Sequence, residues 1–400
     1  MSEIKSIKNI RNLAGKRVLV RVDFNVPVKN GRVSDDGKIR ASLPTIEFLV
    51  KKKARVILVT HLGRPEGKVV ATLRLDPVAH ALSKLLGKKV KKLSTGNWKM
   101  GKNLDRVVFG VRDMKPGDIV LFDNIRFSPD EQGNKGLLSK QLAALSDVFV
   151  LDGFAVAHRA DASVSGVAKY LPSYAGLLLE KEIAGLSKVT MRPAHPLVLI
   201  IGDAKMETKV PVIQSLARTA DAILVGGGIA NTMLLARGYG VGDSIVDKEY
   251  RKEALGYWKK KKIVAPVDVI VGKKYGGRAR RVEIQEKPHT ICKKGEAIFD
   301  IGPDTVRLFA SHIKTAKTLV WNGAMGYFEQ YPYETGTLSI ARLVGRQSKG
   351  NAFGVVGGGE TIESMDMVGM TDDVDLVSTG GGAMLEFLTG KKLPGIESLS

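Results

Sequence analysis

The chain has 400 residues, 44% hydrophobic and 26% charged; these are globular proportions, and the length predicts two or three domains rather than one core. No apolar run reaches bilayer length and the basic first residues lack a secretory apolar stretch, so a cytoplasmic protein with no membrane partner is expected. A single cysteine, Cys292, excludes an intramolecular disulfide or cysteine metal cluster, and the net charge of +21 points to phosphorylated or polyanionic partners.

In chain order, short Val, Ile and Leu runs alternate with longer amphipathic segments. A first series lies at residues 18–22, 56–59, 119–122 and 148–151. A second lies at 197–201, 222–225, 267–271, 318–321, 353–356 and 376–377. Continuous rather than alternating, these runs predict parallel strands covered on both faces by helices. The expected fold is α/β, with two doubly wound, Rossmann-like parallel-sheet domains. Ligands of such sheets bind beyond the carboxyl ends of the strands, so the residues that follow each run matter most.

In the first series those residues are charged or hydrogen-bonding. Asp23-Phe24-Asn25 follows the first run and His61-Leu62-Gly63-Arg64 the second. Asp123-Asn124-Ile125-Arg126 follows the third, and Asp152 with Ala157-His158-Arg159 the fourth. Arg40 stands beyond a loop expected at 31–37. Arginine forks match carboxylate and phosphate, so this convergence points to a small anionic substrate. Asp23 and Asn25 suit its hydroxyls, with Asp23 balancing a neighbouring arginine as the alternative.

Residues 173–190 read as one connecting helix, with Leu177, Leu178, Ile183 and Leu186 apolar and Glu180, Lys181 and Glu182 exposed. Arg192-Pro193 and His195-Pro196 stop it. The expected domains are therefore 1–172 and 191–384, with hinges at the helix ends.

The second series runs into glycines: Gly226-Gly227-Gly228, Gly357-Gly358-Gly359 and Gly380-Gly381-Gly382. With 44 glycines, chance predicts roughly half a triplet, against average usage of about 7%. Helix N-termini without Cβ atoms admit phosphate closely; tight strand–helix packing is the alternative. In Gly202-Asp203-Ala204-Lys205-Met206-Glu207-Thr208-Lys209, Lys205 and Lys209 are expected on one face of a helix that starts there. Two lysines oppose the helix dipole unless an anion lies between them. The P-loop, a GxGxxG fingerprint and the protein-kinase set are missing, and 238–242 reads as a helix end and turn.

Together these segments resemble the phosphoglycerate kinase family. Arg21-Val22-Asp23-Phe24-Asn25-Val26-Pro27, His61-Leu62-Gly63-Arg64-Pro65 and Ala157-His158-Arg159-Ala160 are similar to its substrate motifs. Gly202 to Lys209, Trp321-Asn322-Gly323, Phe328-Glu329, Gly357 to Thr361 and Ser378-Thr379-Gly380-Gly381-Gly382 are similar to its nucleotide motifs, in family order along the whole chain. The resemblance implies reversible phosphoryl transfer from 1,3-bisphosphoglycerate to ADP, giving 3-phosphoglycerate and ATP, with Mg2+, a role in glycolysis and gluconeogenesis, and a monomer or dimer.

By motif match, Asp23, Phe24, Asn25, Arg40, His61, Leu62, Gly63, Arg64, Arg126 and Arg159 would hold the glycerate. Gly202, Lys205, Lys209, Gly227, Gly228, Asn322, Glu329, Gly357, Gly358, Gly359, Glu360 and Thr361 would hold the nucleotide. Arg40, Lys209 and the Gly381 helix N-terminus would meet the phosphoryl group in direct in-line transfer, after a domain closure hinging near Glu182 and Ser378-Thr379. The tail near 385–400 would return to the first domain.

The sequence departs from the family pattern at Ala324 for the usual proline and at Glu360 for the usual aspartate, which would meet the metal through water. Asp203, Thr208 and Asp161 also differ, as in a divergent, possibly archaeal, branch. Two rivals remain open at this point: another small-carboxylate kinase, and a non-enzymatic polyanion binder. Nucleic acid is disfavoured because no recognisable module accompanies the charge.

Overall fold

A strand made only of Val, Ile and Leu has no face that tolerates water, so it must be paired on both edges and covered on both sides. The computed structural model describes residues 4–98, 102–134, 136–203, 205–273 and 278–400, and among these nine of the ten apolar runs, with three further strands, form two six-stranded parallel sheets. The chain divides into a first unit, Met1–Ile183 with Lys392–Ser400, and a second, Ala184–Lys391.

The first unit's sheet contains β1 (Arg17–Arg21), β2 (Arg55–Val59), β3 (Val90–Leu93), β4 (Ile119–Phe122), β5 (Val148–Leu151) and β6 (Ser173–Ala175). Its order is β3-β4-β2-β1-β5-β6. Val18 pairs with Val56 on one side and Val148 on the other, so β1 and β5 flank the crevice where the connections change direction. The helices Gly37–Lys51 and Asp76–Leu86 turn Ile39, Ile46, Leu49, Val78 and Leu82 into the same core as Val18, Val20 and Val56. The last residues close this unit: the Gly395 amide donates to the Ala157 carbonyl at 2.8 Å. A Cβ on Gly395 would lie 2.9 Å from Leu151 and Val164.

The second unit's sheet contains β7 (Leu197–Ile201), β8 (Ala222–Val225), β9 (Ile263–Val264), β10 (Thr318–Asn322), β11 (Phe353–Gly357) and β12 (Leu376–Ser378). The order β9-β8-β7-β10-β11-β12 is that of a dinucleotide-binding sheet, with its switch point between β7 and β10. Trp321, Leu319, Phe309 and Ile340 pack at its centre. Among the described residues no helix is long and apolar enough to cross a membrane.

Four sequence expectations are corrected. The run at 267–271 is not part of the parallel sheet; Asp268–Gly272 pairs antiparallel with Arg280–Glu283 and Ala297–Ile301. The helix expected at 173–190 runs Leu177–Met191, because Ser173–Ala175 is spent pairing with β5. Glu182, expected exposed, is fully buried. Finally, no helix starts at residue 202: Lys209 is the N-cap residue of a helix that begins at Val210 with a proline in its first turn, so Lys205 and Lys209 do not share a helical face. Ala204, in the same segment, lies outside the described residues.

Cys292 is buried, and burial pushes its thiol up to about 11. The unit division falls inside Leu177–Met191, and Leu385 belongs to the second unit's helix Gly381–Leu388.

Candidate functional site

Each sheet gathers polar groups at the carboxyl ends of its strands, and each crevice is built within its own unit. In the first, the loop after β1 is tied to the loop after β2. The Phe24 amide donates to Thr60 Oγ1 at 2.8 Å, and the Gly63 amide donates to Asn25 Oδ1 at 2.9 Å. Asn124, after β4, accepts from the Leu62 amide at 3.2 Å and donates to the Leu62 and Leu73 carbonyls at 2.6 and 3.1 Å. Gly63 takes φ +62° and presents its carbonyl to Arg126 Nη1 at 2.9 Å. The three loops therefore cross-brace one another before any ligand is considered.

Within this brace Asp23 Oδ2 accepts from Lys38 Nζ at 2.8 Å, and Asp23 Oδ1 lies 3.5 Å from His61 Nδ1. His61 is 2% exposed. Burial, and then the charges of Arg21, Arg159 and Lys38, hold its pKa well below the ordinary imidazole range, so it is a neutral ring near pH 7. The Nε atoms of Arg126 and Arg159 are buried with no hydrogen-bond partner among the described residues. Buried guanidinium groups are costly unless an anion faces them.

Arg64 and Asn25 are exposed. Arg40, in the first turn of Gly37–Lys51, is exposed as well and pairs with Asp36, Nε to Oδ1 at 2.7 Å. It stands outside the buried group, and the Asp36 hydrogen bond raises its pKa. Asp152, which the sequence places among the strand-end polar residues, is a structural cap instead. It accepts from Thr45 Oγ1 at 2.6 Å and the Leu178 amide at 3.1 Å, and burial raises it to about 6.

The second crevice is made of backbone. All three glycine triplets lie where a strand passes into a helix: Gly227–Ala236, Gly359–Met367 and Gly381–Leu388. Three positions show why a side chain is disfavoured. A Cβ on Gly202 would lie 1.8 Å from the Ala324 carbonyl oxygen. Gly358 takes φ +97°, which L side chains rarely adopt. Gly381 packs so closely that a Cβ would sit 3.2 Å from Gly358 Cα.

At the switch point Lys209, 3% exposed, places Nζ 3.2 Å from Asp203 Oδ2 and also donates to Asn322 Oδ1. Asn322 in turn donates to the Gly357 carbonyl at 2.7 Å. Burial lowers the Lys209 pKa and Asp203 opposes that shift. Thr361 Oγ1 accepts from the Gly323 amide at 2.7 Å. Gly228 is buried among the apolar residues of its helix, Lys205 is exposed, and Glu329 is exposed beyond the buried Phe328.

Glu360 is raised by partial desolvation and by the nearby Asp203 and Glu329, and lowered by a hydrogen bond from the Ala324 amide. The two departures noted in the sequence thus meet in space: a proline at 324 would lack the amide that Glu360 uses. Among the described residues there is no group of three or more His, Cys, Asp or Glu arranged for a metal. The hard oxygens of Glu360 and Asp203 fit a Mg2+ that takes one or two protein carboxylates and completes its shell with phosphate and water.

Sequence reasoning missed several residues that build these crevices. Arg21 closes the buried strand Arg17–Arg21; a charge at a buried strand end is its signal. Lys38 carries no local signal, Asp203 entered only as a departure from the family pattern, and Glu131, within a Pro-Asp-Glu-Gln-Gly stretch, is fully buried.

A family model described as phosphoglycerate kinase matches residues 7–391. The phosphoglycerate kinase of Pelotomaculum thermopropionicum is 44% identical over 402 residues, covering 99% of this chain and 98% of that protein. That of Moorella thermoacetica is 44% identical over 398 residues, covering 97% of each. The solved structure of phosphoglycerate kinase from Coxiella burnetii superposes with a TM-score of 0.84 at 39% identity, covering 99% of both chains. The structure from Pyrococcus horikoshii OT3 gives a TM-score of 0.85 at 30% identity, covering 99% of this chain and 98% of that one.

Proposed function

The chain belongs to the phosphoglycerate kinase family and catalyses reversible phosphoryl transfer between 1,3-bisphosphoglycerate and ADP; from that premise we propose how its residues divide the work. The first unit holds the glycerate substrate. His61, Arg126 and Arg159 meet its charged groups, Asp23 and Asn25 its hydroxyl, and Arg64 and Arg40 complete the neutralisation from the exposed side. Phe24, Leu62 and Gly63 hold the loops in register. Arg40 exchanges Asp36 for substrate when it acts.

The second unit holds the nucleotide, with Gly202, Gly227, Gly228, Asn322, Glu329, Lys205 and the 357–361 segment around it. Lys209 and the Gly381 helix N-terminus face the phosphoryl group. Phosphoryl transfer needs positioning and neutralisation rather than a protein nucleophile. Glu360, with help from Asp203, would hold a Mg2+ that would supply charge neutralisation at the nucleotide phosphates. We further propose a cytoplasmic monomer.

The observation that supports this division best is the contrast between the two crevices. Orphaned guanidinium Nε atoms lie in one, and glycine-initiated helices surround a buried lysine in the other. The test follows ADP formation from ATP on adding 3-phosphoglycerate and Mg2+, with ADP binding measured separately. Arg40→Ala is expected to lose most turnover and keep ADP affinity within about twofold. An equal loss of nucleotide affinity would overturn the division.

A further inference from the structure

Behind the first crevice lies a chain of buried polar groups that the reading above does not use. Arg21 is 1% exposed, and Ser163 and Glu131 are fully buried. Arg21 Nε donates to Ser163 Oγ at 2.7 Å. The Ser163 hydroxyl donates onward to Glu131 Oε1 at 2.5 Å, and the Ser163 amide donates to Glu131 Oε2 at 3.0 Å. Both carboxylate oxygens are thus engaged. The far end of the guanidinium is fixed as well, because Nη1 donates to the Val22 carbonyl. Nη2 then stands 3.4 Å from His61 Nδ1.

A guanidinium has donors only. Held there, it can meet Nδ1 only as a lone pair, which puts the proton of the neutral ring on Nε2. Asp23 Oδ1, 3.5 Å from the same Nδ1, favours the opposite tautomer. Which one prevails depends on how firmly Arg21 is held. Asp161 also faces Arg21 and adds charge, with its buried Oδ2 making no hydrogen bond among the described residues; the hydrogen bonds that orient Arg21 run to Ser163, with Glu131 behind it, and to the Val22 carbonyl.

We propose that Glu131 and Ser163 are positioning residues for glycerate binding: through Arg21 they hold His61 as the Nε2–H tautomer, so that the ring offers the substrate a donor. The proposal rests on the assignment of glycerate to the first unit. It is a relay of orientation, in which the hydrogen bond at one ring nitrogen decides the chemistry of the other. A carboxylate sealed beneath a strand-end arginine otherwise has only a cost, since burial raises Glu131 to about 7.

The test uses Glu131→Gln and Ser163→Ala in the full chain, with His61→Ala beside them. Each of the first two is expected to raise KM for 3-phosphoglycerate about tenfold, with kcat and KM for ATP within about twofold. The double variant should be no worse than the weaker single, because one relay is cut twice. Proton–nitrogen correlation spectra of histidine-labelled protein should show Nε2–H at His61 in the wild type and a mixture or the Nδ1–H form in the variants. Thermal unfolding establishes that the variants are folded.

Folded variants with unchanged KM for 3-phosphoglycerate and an unchanged tautomer would overturn the relay, as would equal rises in KM for both substrates. If His61→Ala raises that KM while Glu131→Gln does not, the relay fails and the glycerate assignment stands. If His61→Ala leaves it unchanged, the glycerate assignment itself fails.

Discussion

The two sheets share an architecture and present opposite kinds of group beyond their strand ends. The first unit uses side chains: the neutral His61 ring and the Arg126 and Arg159 guanidinium groups stand beyond its strand ends, in or near the protein interior. The second spends backbone: three helices open on glycine triplets, and its principal cation, Lys209, is already engaged by Asp203 and Asn322. A side-chain site can lose one member and remain a site, because the loops are held by other hydrogen bonds. A backbone site has no such redundancy, since the atoms that meet the ligand are the atoms that make the fold.

The largest expected effect tests the exception in the second unit. Lys209→Ala should lower kcat by roughly 10² to 10³, the scale of losing one preorganised donor, with Tm little changed. A loss confined to KM for the nucleotide would place Lys209 with ground-state binding and weaken the contrast.

Next comes a matched pair. Gly202→Ala puts a Cβ 1.8 Å from a backbone oxygen, and overpacking against main chain should cost about 3 kcal/mol or more, seen as lost soluble yield and a lower denaturation midpoint. Arg126→Ala should leave the midpoint nearly unchanged and raise KM for 3-phosphoglycerate. Similar destabilisation in both would erase the distinction between the crevices.

The smallest effect concerns pH. Glu360 already titrates above the ordinary carboxylate value, by partial desolvation and by Asp203 and Glu329. Ala324→Pro removes the amide that opposes this shift. A carboxylate with a higher pKa protonates sooner as pH falls, so the variant should lose Mg2+-dependent activity at a higher pH than the wild type. The acid limbs of the two pH profiles check this; coincident limbs would show that the Ala324 amide does not tune Glu360.

Much of this molecule can be read from the chain. Residues such as Leu19, Ile57 and Val150 have no polar sequence neighbours to suggest any other place than a buried parallel strand, and the glycine triplets lie where helices begin. What escaped had mixed or tertiary signals. Val90–Leu93 carries two lysines in four positions and pairs at the sheet edge beside β4. Ser173–Ala175 is three residues long and precedes a helix without an obvious stop. Glu131 is buried only because Arg21 and Ser163, more than thirty residues away on either side, converge on it. Local pattern records the period of an element, not the partner that makes an isolated carboxylate tolerable inside.

The return of Lys392–Ser400 to the first unit has a consequence for synthesis. On a ribosome, chain appears from the N-terminus onward and domains generally fold as units. The second unit, continuous in sequence, has all its residues before the first does, although the first unit's strands emerge earlier. Gly395, which seals the floor beneath Leu151 and Val164, follows the whole of the second unit in sequence. The earlier-born unit is therefore completed only after the second has been made, and a chain stopped at Lys391 would hold every residue of the second unit and leave the first open at its base.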